Sequence, residues 1–260
     1  MTTMAAEWTK LWSVRSTWWC LLSGAALLIV GAVTIGGGTA TEYLREGVPG
    51  MRVPVGEQVI SAVSLAQFAL VALAMLTVTS EYASGGIRQT LQATPIRGRV
   101  LAAKALVVAP VLLVYGTLSG TVAALATYLT LAHPLFGGLA RLSPGELALD
   151  LLRLGVVVAL AGVMTIGIAA AVRSAAGTLT IVFMLLMGLP LVMVMTGLPF
   201  LVDLSMRFPM FAGLAFMDSS VNMTGGPMPY GPLEGLTWLV GWTGAALGAG
   251  YAVLRARDAT

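Results

Sequence analysis

Val59-Ile60-Ser61-Ala62-Val63-Ser64-Leu65-Ala66-Gln67-Phe68-Ala69-Leu70-Val71-Ala72-Leu73-Ala74-Met75-Leu76-Thr77-Val78-Thr79 runs for 21 residues without a charged side chain. A hydrocarbon core about 30 Å thick takes about 20 helical residues at 1.5 Å each, so this run has the length and composition of a membrane helix. Five further runs read the same way: Trp18–Ile35, Ala105–Leu131, Leu147–Val172, Gly177–Met195 and Leu236–Leu254. The composition of the whole chain agrees. Of 260 residues 58% are hydrophobic and 10% charged, against roughly 25% charged in a soluble domain. A soluble domain of this size could not hide that much apolar surface.

Glycine and proline clusters at Gly36-Gly37-Gly38, Pro49-Gly50, His133-Pro134, Pro144-Gly145 and Gly225-Gly226-Pro227 read as breaks between spans. No internal repeat is apparent, so residues 1–260 are expected to form a single all-α membrane domain of six transmembrane helices. No small-residue cleavage site follows the first apolar run, so that helix is expected to remain in the mature protein.

With the N-terminus inside, the cytoplasmic segments hold nine basic residues: Lys10, Arg15, Arg88, Arg97, Arg99, Lys104, Arg173, Arg255 and Arg257. The outer segments hold five: Arg45, Arg52, Arg141, Arg153 and Arg207. The positive-inside rule therefore puts both termini in the cytoplasm. The twelve arginines against two lysines, with abundant Ala and Gly, suggest a bacterium of high GC content.

Three segments are more than connections. Residues 4–16 read either as an amphipathic helix lying in the inner interface, with Trp8, Leu11, Trp12 and Arg15 at helical spacing and Glu7, Lys10 and Arg15 as polar contacts, or equally as a simple positive-inside anchor. In residues 80–104, Gly85-Gly86 permits a sharp turn after the second span. Ile87, Thr90, Leu91 and Thr94 then share one helical face. Thr94-Pro95 resembles an N-cap and first-turn pair opening a new helix that carries Arg97 and Lys104 into the third span. The plain alternative is an ordinary basic loop. Residues 196–235 are too apolar for a free loop and too interrupted by Pro199, Pro209, Pro227, Pro229 and Pro232 for a full span, so one or two short outer helices dipping into the membrane are expected.

Several chemistries are excluded or unsupported. The only lysines, Lys10 and Lys104, follow Thr9 and Ala103, so no Walker motif exists and the chain is expected not to be an enzyme in its own right. His133 is the single histidine, which rules out a zinc-protease pair, and Cys20 is the single cysteine. The acidic residues Glu57, Glu146, Asp150, Asp203, Asp218 and Glu234 fall in loops or at span edges, so ion coupling has no visible machinery. Asp150 and Arg153 are spaced to pair. Gln67, within the second span, is the main deep polar candidate.

Glu81 with Gly85, then Leu91, Pro95 and Lys104, together with Glu81-Tyr82-Ala83-Ser84-Gly85 and Ala93-Thr94-Pro95-Ile96-Arg97-Gly98-Arg99, resemble the segment between the second and third spans of type-2 ABC exporter permeases, a bacterial family associated with antibiotic or peptide efflux. The similarity covers essentially the whole chain. It implies that residues 81–97 form a cytoplasmic coupling helix seated in a separately encoded ATPase. Glu81 would mark the bend and bond a nearby arginine, Gly85 would make the turn, and Ile87 and Leu91 would serve as apolar anchors. Thr94 and Pro95 would restart the helix, and Arg88 and Arg97 would contact the ATPase surface. It also implies two ATPase copies holding ATP and magnesium, a second permease copy or paralogue, and a bacterial plasma-membrane location. No cofactor is expected in this chain and no nucleic acid among its partners.

Gly244-Ala245-Ala246-Leu247-Gly248 is a small-xxx-small pattern, suited to packing within one subunit or between two, with the first favoured. Nine of the fourteen methionines lie between Met184 and Met228. Thioethers make adaptable apolar surfaces, so Gln67, Met184, Met187 and Met193 are the expected path for a hydrophobic or amphipathic cargo. A second functional class fits the same features: a non-transporting sensor or immunity scaffold coupled to an ATPase.

Overall fold

The computed structural model describes residues 3–47, 50–93, 96–219 and 228–256, with the backbone alone at Arg88, Leu91 and Ala93. The fold is helical. A short helix α1 (Thr3–Ser13) turns at the extended Val14 into α2 (Arg15–Glu46), followed by α3 (Val55–Ala83), the seven-residue α4 (Ile87–Ala93) and α5 (Arg97–Ala132). Then come α6 (Pro144–Val172), α7 (Ala175–Phe183) running on into α8 (Leu189–Met195), the short pair α9 (Pro199–Met206) and α10 (Pro209–Phe216), and α11 (Pro232–Ala256).

Five helices are long and apolar enough to cross a membrane: α2, α3, α5, α6 and the continuous Ala175–Met195. This is a multi-pass membrane architecture. The expected sixth span, α11, matches the others in length, 25 residues or about 37 Å. Its Thr237, Trp238, Gly241, Trp242, Thr243, Gly244, Gly248, Gly250 and Tyr251 leave it less apolar, and it falls outside those five. The pair α9 and α10, bent by 65°, would be a sixth if it counts as one broken span. The two short helices expected within residues 196–235 are these, and Pro199 and Pro209 start them rather than interrupt them, as proline in a first turn does. Gly225, Gly226 and Pro227 lie outside the described residues.

One break was misread. Gly36-Gly37-Gly38 does not end the first span, and α2 continues through it to Glu46. Backbone groups away from water are best satisfied inside a helix, and a Cβ at Gly36 would meet Thr127 Cγ2 at 3.0 Å, so glycine here allows close packing rather than a turn.

Helix α6 is the most enclosed of the five and lies against α3, α5 and α11. Glycines on α6 set the contacts with α5 and α11. A Cβ at Gly155 would stand 2.7 Å from Leu113 O of α5, and one at Gly167 would stand 2.5 Å from the carbonyl carbon of Ala246 in α11. Small residues let membrane helices meet backbone to backbone. Among the described residues the Gly244–Gly248 pattern is not used this way: a Cβ at either position, or at Gly241, meets nothing within 4 Å. Packing against α6 falls to Gly250 instead, whose Cβ would lie 2.5 Å from Gly167 O.

Two details complete the frame. Val53–Pro54 and Ala140–Arg141 form a two-residue parallel ladder, a small departure from an all-α chain, which clips the α2–α3 connection to the α5–α6 connection. Between α7 and α8, Met184–Gly188 widens into a π-helix. Pro190, which follows, has no N–H to continue the regular ladder, and a π turn absorbs that break.

Candidate functional site

Helix α5 places Lys104 among Val100, Leu101, Val107 and Val108, where only 3% of it reaches solvent. An ammonium removed from water needs an acceptor for each of its three N–H bonds. Lys104 Nζ has all three: Glu7 Oε2 at 2.7 Å, Glu81 Oε1 at 2.8 Å and the Thr77 carbonyl at 2.8 Å. Glu7 is 5% exposed and Glu81 13%.

The other lysine completes the arrangement. Lys10 Nζ donates to Glu81 Oε1 at 2.8 Å, Glu7 Oε1 at 3.0 Å and Thr90 Oγ1 at 3.2 Å. Partial burial acts to lower its pKa, but the hydrogen bonds to Glu81 and Glu7 prevail and hold it above the ordinary lysine value. Two lysines and two glutamates, formally neutral in sum, thus tie α1, α3 and α5 together and reach α4 through Thr90.

The turn between α3 and α4 stands beside this network. Gly85 has φ +73°, the left-handed conformation that glycine adopts without strain, and the Gly86 N–H donates to Ser84 Oγ at 3.4 Å. The α6 end is joined to the same region: Arg173 lies 5.3 Å over the Tyr82 ring. Arg97 Nη1 donates to Leu254 O of α11 at 2.6 Å. Thr90 thus joins α4 to the network of α1, α3 and α5, and the contacts to α6 and α11 lie at the same end of the bundle.

Several expected roles change. Glu81 does mark the end of the span, but among the described side chains its ion pairs are with Lys10 and Lys104 rather than an arginine. Ile87 is 7% exposed and packs inside the chain, so it is not a presented anchor. Arg97 is half-buried and bonded to α11 rather than displayed on the surface. Helix α5 begins at Arg97 behind an extended Ile96, two residues later than a Thr94 cap requires; Thr94 and Pro95 lie outside the described residues, as do the side chains of Arg88 and Leu91.

The sequence marks Glu7 only as a polar contact of an interfacial helix, and neither its burial nor the joint role of the lysines is visible there. The available signal was the rarity of lysine in an arginine-rich chain. A compact ammonium satisfies a small trigonal set of acceptors that a planar guanidinium does not match.

The expected cargo path is only partly assembled. Gln67 lines a cavity of about 130 Å³ with Ser64 of α3, Val157 and Met164 of α6, and Met210 and Met217 beside α11. Met184, Met187 and Met193 are not in its lining. Arg153 also departs from expectation, standing 3.6 Å from Asp218 rather than bonding Asp150. His133 acts as a turn residue, its Nδ1 accepting from the Leu135 N–H at 3.3 Å.

Comparison with protein-family models finds no match for this chain, and comparison with curated proteins finds none.

Proposed function

We propose that this chain is the membrane subunit of a type-2 ABC exporter, moving a hydrophobic or amphipathic compound such as an antibiotic or peptide across a bacterial plasma membrane. A separately encoded ATPase, in two copies, holds ATP and magnesium, and a second permease copy or paralogue completes the transporter. Both termini face the cytoplasm, following the charge bias of the sequence.

The observation that carries this reading is α4: a seven-residue helix set off by the Gly85 turn between two long apolar helices, and linked by Thr90 and Glu81 to a charge network that grips three other helices. A flexible loop would dissipate a push from outside. A short helix clamped at its base transmits it, and alternating access needs such a two-state element biased by the ATPase.

Arg88→Glu and Leu91→Asp are expected to abolish co-purification of the ATPase while leaving the chain inserted and folded. Ile87→Asp is expected to act differently, because a carboxylate at that buried position destabilises the chain itself. A pull-down that recovers undiminished ATPase with Leu91→Asp would refute docking through α4.

The open glycines of α11 supply the surface for the second permease. Gly244→Leu with Gly248→Leu is expected to leave the stability of the subunit unchanged within about 0.5 kcal/mol, as at uncrowded surface sites, since none of the described residues lies within 4 Å of an added Cβ. Cross-linking between permease subunits is expected to fall. Equal cross-linking would place the dimer contact elsewhere.

A further inference from the structure

A cavity of about 330 Å³ separates the α1–α2 elbow from α3 and α5, within the range of about 300–1,000 Å³ typical of small-molecule sites. Leu73, Leu76, Val107 and Val108 line its apolar part, and the four-charge network lines its polar end.

The hydrogen-bonding character of that polar end is one-sided. Ser13 donates to Lys10 O, Thr17 to Leu11 O, Thr77 to Ala74 O, Ser80 to Leu76 O and Thr90 to Gly86 O. Each hydroxyl has used its single hydrogen and keeps only lone pairs for a further partner. Both lysines have all three N–H bonds engaged. Glu81 Oε2 is a buried acceptor with no partner among the described residues. Ser16 and Gln89 bring the wall's remaining side-chain donors. A guest must therefore supply donors, and a phosphate or carboxylate head is poorly served.

We propose that this cavity binds a free amphipathic amine, its primary ammonium taking over the three acceptors of Lys10 and its alkyl chain lying along Leu73, Leu76, Val107 and Val108. The exchange conserves charge and donor count. Lys10 is the replaceable lysine because it is 44% exposed and can return to water on its flexible stem, whereas Lys104 is enclosed. The same three acceptors, Glu7 Oε1, Glu81 Oε1 and Thr90 Oγ1, then hold the guest. Release of Lys10 loosens α1 from α3 and α4, so occupancy changes the grip on the short helix. The site shares Glu7, Lys10, Glu81 and Thr90 with the network of the transport reading, but binding at it is measured on the chain alone, without an ATPase.

The test is thermal unfolding and calorimetric binding of the purified full chain in dodecyl maltoside with n-octylammonium, n-octyltrimethylammonium, n-octyl sulfate and lysophosphatidylethanolamine. Octylammonium is expected to raise the unfolding temperature of the wild type. It is expected to bind Lys10→Ala about tenfold more tightly, because the ammonium that competes for the three acceptors is gone. The trimethyl analogue, which has no N–H, and the sulfate are expected to give no specific shift, and the phospholipid a smaller one. Leu76→Trp, which fills the apolar part and leaves the network intact, is expected to abolish the octylammonium shift. An equal shift with the trimethyl analogue, or an unaltered shift in Leu76→Trp, would overturn the site. An equal or larger effect of the phospholipid would overturn its assignment to a free amine.

Discussion

Lys104→Met is expected to cost about 3–5 kcal/mol of stability, the range for removing one partner of a buried ion pair. Methionine keeps the length of the side chain and loses the ammonium. Glu7 Oε2 and the Thr77 carbonyl then lose their Lys104 bonds, and Glu81 keeps only the half-exposed Lys10. Because Glu7 is the buried anchor of α1, that helix is expected to detach first. Trp8 and Trp12 sit on it and report the release through their fluorescence during denaturant unfolding in micelles. Adding Glu7→Gln to Lys104→Met removes the stranded charge and is expected to recover part of the loss, the non-additivity that directly interacting groups show. An unchanged midpoint in Lys104→Met would mean that the network contributes nothing.

Gly167→Val is expected to reach or exceed the upper end of the roughly 1–3 kcal/mol range for overpacking. Its Cβ would stand 2.5 Å from the carbonyl carbon of Ala246, 2.6 Å from that residue's oxygen and 2.6 Å from Leu247 N. These are backbone atoms, so no rotamer change relieves the clash and α6 must separate from α11. Gly241→Val on the same α11 is the control, because nothing lies within 4 Å of its Cβ. Unfolding midpoints of the two variants in the same detergent decide the matter, and equal midpoints would contradict the close crossing.

The spans were readable because membrane insertion depends on a local quantity, the length of an uncharged apolar run, and Val59–Thr79 states it without ambiguity. The turn at Gly85 was readable for a similar reason, since consecutive glycines at the end of a span permit a conformation other residues resist. What a glycine does inside a membrane helix is not local. Gly36 looks like a break and is a contact with Thr127, while Gly244 and Gly248 look like a packing motif and have no neighbour within 4 Å of an added Cβ among the described residues. The difference lies in which neighbour faces them, and that is a tertiary fact.

The charge network was hidden for the same reason. Lys10 and Lys104 are 94 positions apart, and Glu7 and Glu81 are 74 apart, by their residue numbers. Nothing in the periodicity of α1 distinguishes a buried glutamate from a solvated one. The family resemblance implies that Ile87 is an outward anchor beside Leu91, yet it packs inward, where it lines a small space with Tyr82, Arg97 and Leu254. A seven-residue helix has too few positions for periodicity to say which face is covered.

The central proposal, that the chain supplies the gate and a separate protein supplies the energy, is tested most directly by measuring ATP hydrolysis and uphill cargo transport in proteoliposomes. The purified chain is assayed alone and then together with an ABC ATPase that co-purifies with it. Neither activity from the chain alone, and both with the ATPase present, is the predicted result. ATP turnover or uphill transport by the chain alone would contradict it.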